Sequence, residues 1–383
     1  MSDVIYLDNH ATTPCDPRVV EAMLPYFSEH FGNPSSVLHS AGRRAARAVE
    51  EAREQIAALI QATAGHIIFT SGATEANNLV LRGLTQADPS GRRRVVTTPI
   101  EHKSVLEPIR LLAERGYEIV TLPVSETGVA SVDAARYLIN EETLLVSVQA
   151  ANNEIGTIQP IAEIARIARE NGVLVHCDAA QAVGKIAIDV EAWGVDFLSM
   201  SSHKLYGPKG IGALCIASRH TRPRLVPLLL GGGQENGMRA GTINVPGVVG
   251  FGRACQICQE EANAEAVRVA HLRDRLEARL VARIPTLRIN GDRHHRLPGT
   301  SNLTFPGVEA DALILNLPRL ALSTGSACNS GAPEPSYVLT ALGLRREDAV
   351  CSLRIGLGRF TTDAEIDQAV SLIADAAIRL SQR

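Results

Sequence analysis

The middle of the chain contains a short apolar run that ends in a carboxylate, Val173-Leu174-Val175-His176-Cys177-Asp178. A run of this length and composition is typical of a buried β-strand. Such a strand would place Asp178 at the carboxyl edge of a sheet, which is where open α/β folds bind ligands. An acid in this position is also a common cap for a following helix, so the run by itself does not identify a site.

Further runs of similar length occur on both sides of this one, between about residues 65 and 216. They are Ile67–Thr70, Val95–Thr97, Glu118–Thr121, Leu144–Val148, Phe197–Met200 and Ile211–Ile216. Because stretches of helical pattern separate them, the sequence predicts an α/β fold in which helices sandwich a mainly parallel seven-stranded sheet. Only the last two runs lie too close together for a helix, so the final strand is predicted to be antiparallel to its neighbour.

Two longer stretches of helical spacing flank this block. Apolar residues at Ala45, Val49, Ala52, Ile56 and Leu59 predict one amphipathic helix, and those at Val269, Leu272, Leu276, Leu280 and Ile284 predict a second that stops at Pro285. We expect the second helix to lead into a smaller α+β domain. Residues 14–257 would then form the large domain, and residues 1–13 together with 258–383 the small one.

The composition excludes several classes of protein. The 383 residues are 45% hydrophobic and 21% charged, which excludes a disordered or fibrous chain. The net charge of -3 favours neither a nucleic-acid partner nor a membrane surface. No apolar stretch approaches the ~20 residues of a membrane span.

The N-terminus lacks the pattern of a secretory signal. The number of cysteines, 7, is odd and does not suggest a disulfide framework. The expected location is therefore the reducing cytoplasm.

Two other strand ends carry residues suited to chemistry. The segment Thr70–Asn77 follows a strand and opens a helix, and its small residues leave backbone N–H groups free to face a phosphate, although an ordinary capped turn is the simpler interpretation. Lys204 follows a strand directly, where desolvation would lower its pKa and make the amine nucleophilic, unless it is simply a surface lysine. A phosphate cradle, the Asp178 carboxylate and a reactive lysine are the three contacts that pyridoxal phosphate needs.

Segments spread over nearly the whole chain carry a specific resemblance. They are Tyr6–Pro14, Thr70–Asn77, Ala151–Gly156, Ser202–Lys204, Arg239–Thr242, Ser323–Cys328 and Leu353–Phe360. In combination they resemble the NifS/IscS-type cysteine desulfurases, which are pyridoxal 5'-phosphate enzymes of the class-V aminotransferase family. The region around Cys328 resembles the longer cysteine loop of the first group of these enzymes.

The resemblance implies how the cofactor would be held. Lys204 would bind it covalently, Asp178 would pair with the pyridine nitrogen, and His102 would stack on the ring and take part in catalysis. Side chains near the phenolic oxygen would be those of Gln181 and Asn153. The phosphate would be bound by Ala73, Thr74, Ser201 and His203, joined by Thr242 from the neighbouring subunit of a homodimer. No metal is expected.

The resemblance also implies the reaction. Arg354, with Asn153 beside it, would bind the carboxylate of L-cysteine, a task suited to the planar guanidinium group. Cys328 would take the substrate sulfur as a persulfide, leaving L-alanine, and would pass the sulfur to an acceptor protein for iron–sulfur cluster assembly or another thiolation pathway. The small residues around Cys328 predict a mobile loop, although a lone cysteine is more often a buried small hydrophobe.

Alternatives remain open at this point. The same fold could support a selenocysteine lyase, another pyridoxal-phosphate lyase or an aminotransferase, and the chain could be a non-catalytic sulfur-carrier subunit. His102 could simply cap a helix. The pair Cys255 and Cys258 has metal or redox spacing but lies in a helical stretch without a second ligand pair, and Cys351 places an extra thiol close in sequence to Arg354.

Overall fold

The computed structural model describes residues 4–88, 90–217, 225–324 and 335–382. The strands in these residues are β1 Ile5–Tyr6, β2 Ile67–Thr70, β3 Arg94–Thr97, β4 Glu118–Thr121, β5 Thr143–Ser147, β6 Leu174–Asp178, β7 Phe197–Ser201, β8 Gly212–Ile216, β9 Arg288–Ile289, β10 Thr300–Thr304, β11 Leu320–Ala321 and β12 Ser352–Gly356. The helices are α1 Pro17–Met23, α2 Pro25–Ser28, α3 Ser40–Leu59, α4 Ala73–Ala87, α5 Lys103–Glu114, α6 Val132–Leu138, α7 Ile161–Glu170, α8 Val190–Trp193, α9 Val245–Arg283, α10 Ala310–Leu315, α11 Tyr337–Ala341, α12 Arg346–Ala349 and α13 Asp363–Ser381.

Strands β2 to β8 form one seven-stranded sheet in the order β2-β8-β7-β6-β5-β3-β4. Every predicted strand is present within one residue of its predicted bounds. The pairs are parallel except those of β8, which runs antiparallel to both β7 and β2. The prediction of a mainly parallel sheet with an antiparallel final strand is therefore confirmed.

Both faces of this sheet are covered by helices, as predicted. Alternate residues of a strand point to opposite faces, so Ile67 and Phe69 join the core beneath α3, α7 and the first half of α9, whereas Ile68 joins the core beneath α4 and α5. Because the inner strands are buried on both sides, their sequences are continuous apolar runs rather than alternating ones, whereas β4 at the edge of the sheet is partly exposed.

The second predicted helix is much longer than expected. It begins at Val245 rather than near Val269 and continues for 39 residues as α9. Glycines weaken the helical signal of its first half, but one of them is needed for packing: a Cβ atom on Gly252 would lie 2.6 Å from the Cα of Ala52 in α3. Close helix–helix contact thus outweighs intrinsic propensity here.

The ends of the chain build a separate apolar core. Strands β9, β10 and β12 form an antiparallel sheet, and β1 pairs in parallel with β11. Ile5 and Leu7 pack there with the second half of α9 and with α13. The exact division into residues 14–257 and residues 1–13 with 258–383 stays a prediction.

Among the described residues, the structure contains no helix with the length and apolar character that a membrane span needs.

Candidate active site

A cavity of about 590 Å³ opens at the carboxyl edge of the large sheet. Ten of the residues singled out from the sequence line it: Ala73, Thr74, His102, Asn153, Asp178, Gln181, Ser201, His203, Lys204 and Arg354. They come from the ends of several strands and from the small sheet. The fold therefore brings together residues that are far apart in the sequence.

Lys204 extends into the cavity from the turn after β7. Its Nζ donates hydrogen bonds to the carbonyl oxygens of His10 and Ala11. Burial and the positive charge of Arg354 lower the pKa of Lys204 to about 8, against the opposing charges of Asp8 and Asp178. A desolvated amine with a lowered pKa is what the strand-end position predicted.

Asp178 is the last residue of β6 and lies almost fully buried in the floor of the cavity. Its Oδ2 accepts from Asn77 Nδ2 at 2.7 Å, and its Oδ1 accepts from the backbone N–H of Ala180 at 3.0 Å. Asn77 also donates to Ser104 Oγ at 2.8 Å, which ties the first turns of α4 and α5 to the carboxylate. This arrangement holds a negative charge at a fixed point.

One end of the cavity is suited to an anion. Helix α4 begins there after Gly72, whose position carries no side-chain cap, so the N–H groups of the first turn face the cavity with the positive end of the helix dipole. Gly212 allows this close approach, since a Cβ atom on it would lie 2.6 Å from the Gly72 Cα. Ser201 and His203 complete this end. Burial and the nearby lysines lower the pKa of His203 to about 4.

Arg354 lies in β12 at the opposite side of the cavity. Its Nη2 pairs with Asp8 Oδ1 at 2.7 Å, and its Nη1 donates to the carbonyl oxygen of Asn153 at 3.1 Å. Among the described residues, Arg354 Nε and Asn153 Oδ1 are buried polar atoms without a hydrogen-bond partner. A donor and an acceptor are thus left for a polar ligand.

His102 has two roles in this structure. Its Nδ1 accepts from the backbone N–H of Ser104 at 3.1 Å, so it caps α5, the alternative that the sequence left open. Its ring also lines the cavity. Desolvation lowers the pKa of His102 even though the residue is partly open to solvent, and the negative charge of Asp178 opposes this shift. The imidazole is therefore mainly neutral at neutral pH and able to accept a proton.

A buried network beneath the cavity was not predicted. Gln181 Nε2 donates to the carbonyl oxygen of His10 at 2.9 Å, and Gln181 Oε1 accepts from Lys185 Nζ at 3.0 Å. The His10 ring reaches Thr300 Oγ1 at 2.7 Å through Nε2. His10 lies in the matching segment Tyr6–Pro14, so a signal for it existed, whereas nothing in the sequence pattern distinguished Lys185.

One predicted site residue does not line this cavity. Thr242 is exposed and does not line it. Cys328 lies outside the described residues.

Cys255 and Cys258 are buried in α9. Within the described chain no cluster of metal-ligating side chains is found. Cys351 is buried against Gly307 and Val308 and is not among the residues that line the cavity, although it is close to Arg354 in sequence.

Known proteins resemble this chain over almost its whole length. The aminotransferase class-V family matches residues 5–369. "Cysteine desulfurase IscS" of Anaeromyxobacter sp. (strain Fw109-5) is 48% identical, with 99% of this chain and 93% of the relative covered. "Cysteine desulfurase IscS" of Rickettsia typhi (strain ATCC VR-144 / Wilmington) is 49% identical, with 98% and 92% covered. A solved NifS-like protein has a TM-score of 0.91 at 37% identity, covering 98% of this chain and 100% of that one.

Proposed function

Because this chain belongs to the class-V aminotransferase family and is a pyridoxal-phosphate-dependent cysteine desulfurase, we propose that it moves the sulfur of L-cysteine onto its own Cys328. The overall change is balanced: L-cysteine and the Cys328 thiol give L-alanine and a Cys328 persulfide. The observation that supports this most directly is the placement of Lys204, Asp178 and a helix N-terminus around one cavity.

The residues of the cavity fit pyridoxal phosphate. The anion end supplies N–H donors, and a Cβ atom on Gly72 would project towards Ser201 Oγ, 3.8 Å away, into the space that a phosphate would use. We assign the phosphate to Ala73, Thr74, Ser201 and His203, and the pyridine nitrogen to Asp178. Lys204 is the residue that attaches the cofactor, whose ring then supplies an electron sink for bond breaking at the substrate.

The remaining steps fall to side chains of this chain. Arg354 binds the substrate carboxylate through its fixed guanidinium group, with Asn153 beside it. Lys204 would also be placed to take a proton from the substrate Cα, since its lowered pKa of about 8 brings its neutral amine within reach of physiological pH. His102 accepts and returns protons of the sulfur-bearing groups, as its neutral imidazole permits.

Cys328 completes the reaction in this proposal. Its thiolate forms the new S–S bond with the substrate sulfur, and the Cβ–S bond of the substrate breaks. The assignment rests on the match of Ser323–Cys328 to the family's cysteine loop, because the structure does not describe residues 325–334. An acceptor protein then takes the outer sulfur, in iron–sulfur cluster assembly or another thiolation pathway.

Mass spectrometry after a pulse of L-cysteine without reductant tests this proposal. We expect one added sulfur on the peptide that contains Cys328. Cys351→Ser is the matched control and keeps both the label and alanine formation, because Cys351 does not line the cavity. Cys328→Ser should lose both. Sulfur on Cys351 or Cys255, with alanine still formed by Cys328→Ser, would show that the nucleophile is assigned wrongly.

We also propose that the protein is a homodimer whose two sites share residues. Thr242 is exposed and lies off its own cavity, as expected for a residue that serves a partner. Large apolar side chains are also exposed in the same chain: Leu24, Phe27, Phe31, Leu38 and Leu230. Leu38 is 95% exposed, and contact with a second copy would remove this apolar surface from water.

The cytoplasm is the proposed location. Six cysteines lie in the part of the chain that the structure describes, and each of them is a free thiol. A reducing compartment keeps such thiols and a persulfide-forming cysteine from being oxidised.

A further inference from the structure

The carboxamide of Gln181 is held from both ends. Its Nε2 donates to the carbonyl oxygen of His10, and its Oε1 accepts from Lys185 Nζ; His10 Nδ1 also lies 3.3 Å from Oε1. A carbonyl oxygen can only accept, and a lysine amine donates in either protonation state. The two contacts therefore select one of the two possible orientations of the amide. Its N–H side faces the His10 carbonyl, to which Lys204 Nζ also donates.

Lys185 itself does not reach the cavity. It lies behind Gln181, beside a small void lined also by His10, Tyr206 and Glu265. Within the described residues, the side-chain hydrogen bond found for Lys185 is the one to Gln181. Desolvating the amine of Lys185 costs free energy, and a single hydrogen bond to Gln181 offsets part of this cost.

The charged groups that face Lys185 come from several elements. They are Lys204 and Arg354, which repel it, and Glu265, which favours its charged form; the imidazole of His10, whose pKa is lowered well below its usual value, lines the same void. Burial and the neighbouring cations lower the pKa of Lys185 to about 7. The hydrogen bond from Lys185 to Gln181 is kept when Lys185 loses its proton, because the neutral amine still carries donor hydrogens.

We propose that Lys185 is a positioning residue that locks the Gln181 carboxamide so that Gln181 presents an N–H donor to an anionic oxygen of the cofactor. This inference rests on the proposed placement of Gln181 near the phenolic oxygen. An N–H donor stabilises an anionic oxygen, whereas a rotated amide would oppose it with its own oxygen. Lys185 thus acts on the cofactor through Gln181 without touching it.

The pH titration of holoenzyme absorbance measures this effect. Lys185→Met keeps the length of the side chain and removes the donor, so we expect the midpoint of the absorbance change to rise by about half a unit to one unit. Lys185→Arg keeps a donor and is expected to stay near the wild-type midpoint. If Lys185→Met does not retain cofactor, Lys185→Leu provides the same comparison.

A double-mutant comparison separates orientation from a direct effect of charge. In a Gln181→Leu background there is no amide to orient, so Lys185→Met should cause no further shift. An equal shift in both backgrounds, or no shift in the Gln181-containing protein, would overturn the inference. If Gln181→Leu alone leaves the midpoint unchanged, the placement of Gln181 in the proposed function is wrong as well. Thermal unfolding of each apoprotein checks that the fold is retained.

Discussion

The reactivity of Lys204 depends on neighbours of both signs. Burial disfavours its charged form, Arg354 reinforces this, and Asp8 and Asp178 oppose it. Since Arg354 is itself paired with Asp8, the two groups act on Lys204 as a partly neutralised pair. Removing only the arginine would therefore leave the carboxylate of Asp8 to act alone.

Arg354→Gln is expected to raise the pKa of Lys204 above its value of about 8, because a cation is lost and Asp8 is uncovered. Attachment of the cofactor needs the neutral amine, so its pH midpoint should move upwards by about half a unit to one unit. The measurement is the fraction of apoprotein trapped by borohydride after exposure to pyridoxal phosphate at a series of pH values. Arg166→Gln, which breaks an exposed pair with Glu170, is the control. An unchanged midpoint in Arg354→Gln would contradict the prediction.

At the level of single residues, the sequence indicated which side chains meet but not how they are held. Lys204 and Asp178 could be predicted because each follows an apolar run. Asn77 is 101 positions from Asp178, and its hydrogen bond to that carboxylate exists only through the packing of α4 on the sheet. Lys185 was not predicted although it lies only four positions from Gln181, because nothing in the sequence pattern indicated that its side chain turns towards that amide.

Among the elements, β6 carries an unusual group in its centre. His176 is fully buried, with Nδ1 2.8 Å from Ser147 Oγ in β5 and Nε2 3.0 Å from Ser199 Oγ in β7. Burial lowers the pKa of His176 to about 4. A neutral imidazole can donate at one nitrogen and accept at the other, and so links three strands.

His176→Gln is expected to make stability less sensitive to acid. The folded pKa of about 4 lies below the unfolded value of about 6.5, so the contribution of neutral His176 is complete above the unfolded value and is lost as the pH falls towards 4. As the pH falls from about 6.5 to about 4, the free energy of unfolding of the wild type should decrease by up to roughly 3 kcal/mol more than that of the variant. Urea unfolding at both ends of the range measures the difference, with the exposed His294→Gln as control. Parallel losses in wild type and His176→Gln would refute this role.

Helix α11 is fixed by its N-cap residue Ser336 and its first residue Tyr337. Ser336 caps the helix by accepting from the Leu339 N–H, and it also donates to the buried Oε2 of Glu154. Tyr337 donates from its hydroxyl to the carbonyl oxygen of Glu101 at 2.8 Å. These contacts attach α11 to the two turns that present Asn153 and His102.

Ser336→Ala should destabilise the fold by about 1–3 kcal/mol, because it removes a helix cap and leaves a buried carboxyl without its donor. Burial raises the pKa of Glu154, and the Ser336 hydrogen bond opposes that rise. Ser371→Ala, which loses only an exposed hydrogen bond to its own helix, is the matched control. The free energy of unfolding in urea gives the comparison, and equal values for the two variants would be the contrary result.

Some strands and helices could be predicted from the sequence pattern and others could not. Strands β5 to β8 were predictable because strands buried on both faces require continuous apolar runs. The first half of α9 was not, because its glycines reflect contact with α3 rather than a break in the helix.

On the scale of the whole molecule, the proposed dimer makes a sharp prediction. Lys204→Ala and Thr242→Ala homodimers should each be impaired, since every site in them carries one lesion. A mixed dimer would have one site with both lesions and one intact site, so each heterodimer should have about half the activity of a wild-type dimer. Heterodimers, detected with differently tagged subunits, must be present for the comparison, and their presence without recovery would contradict shared sites.

The pairing of Asp8 with Arg354 joins residues 346 positions apart, and β1 pairs with β11 beside it. On a ribosome adding about 5–20 residues per second, Asp8 is made roughly 20–70 s before Arg354. The large sheet, with Lys204 at its edge, is complete well before the final strand is translated. A nascent chain consequently contains Lys204 before it contains Arg354, the residue whose positive charge helps to lower the pKa of Lys204. The order of synthesis thus delays the full electrostatic surroundings of Lys204 until the end of the chain has been made.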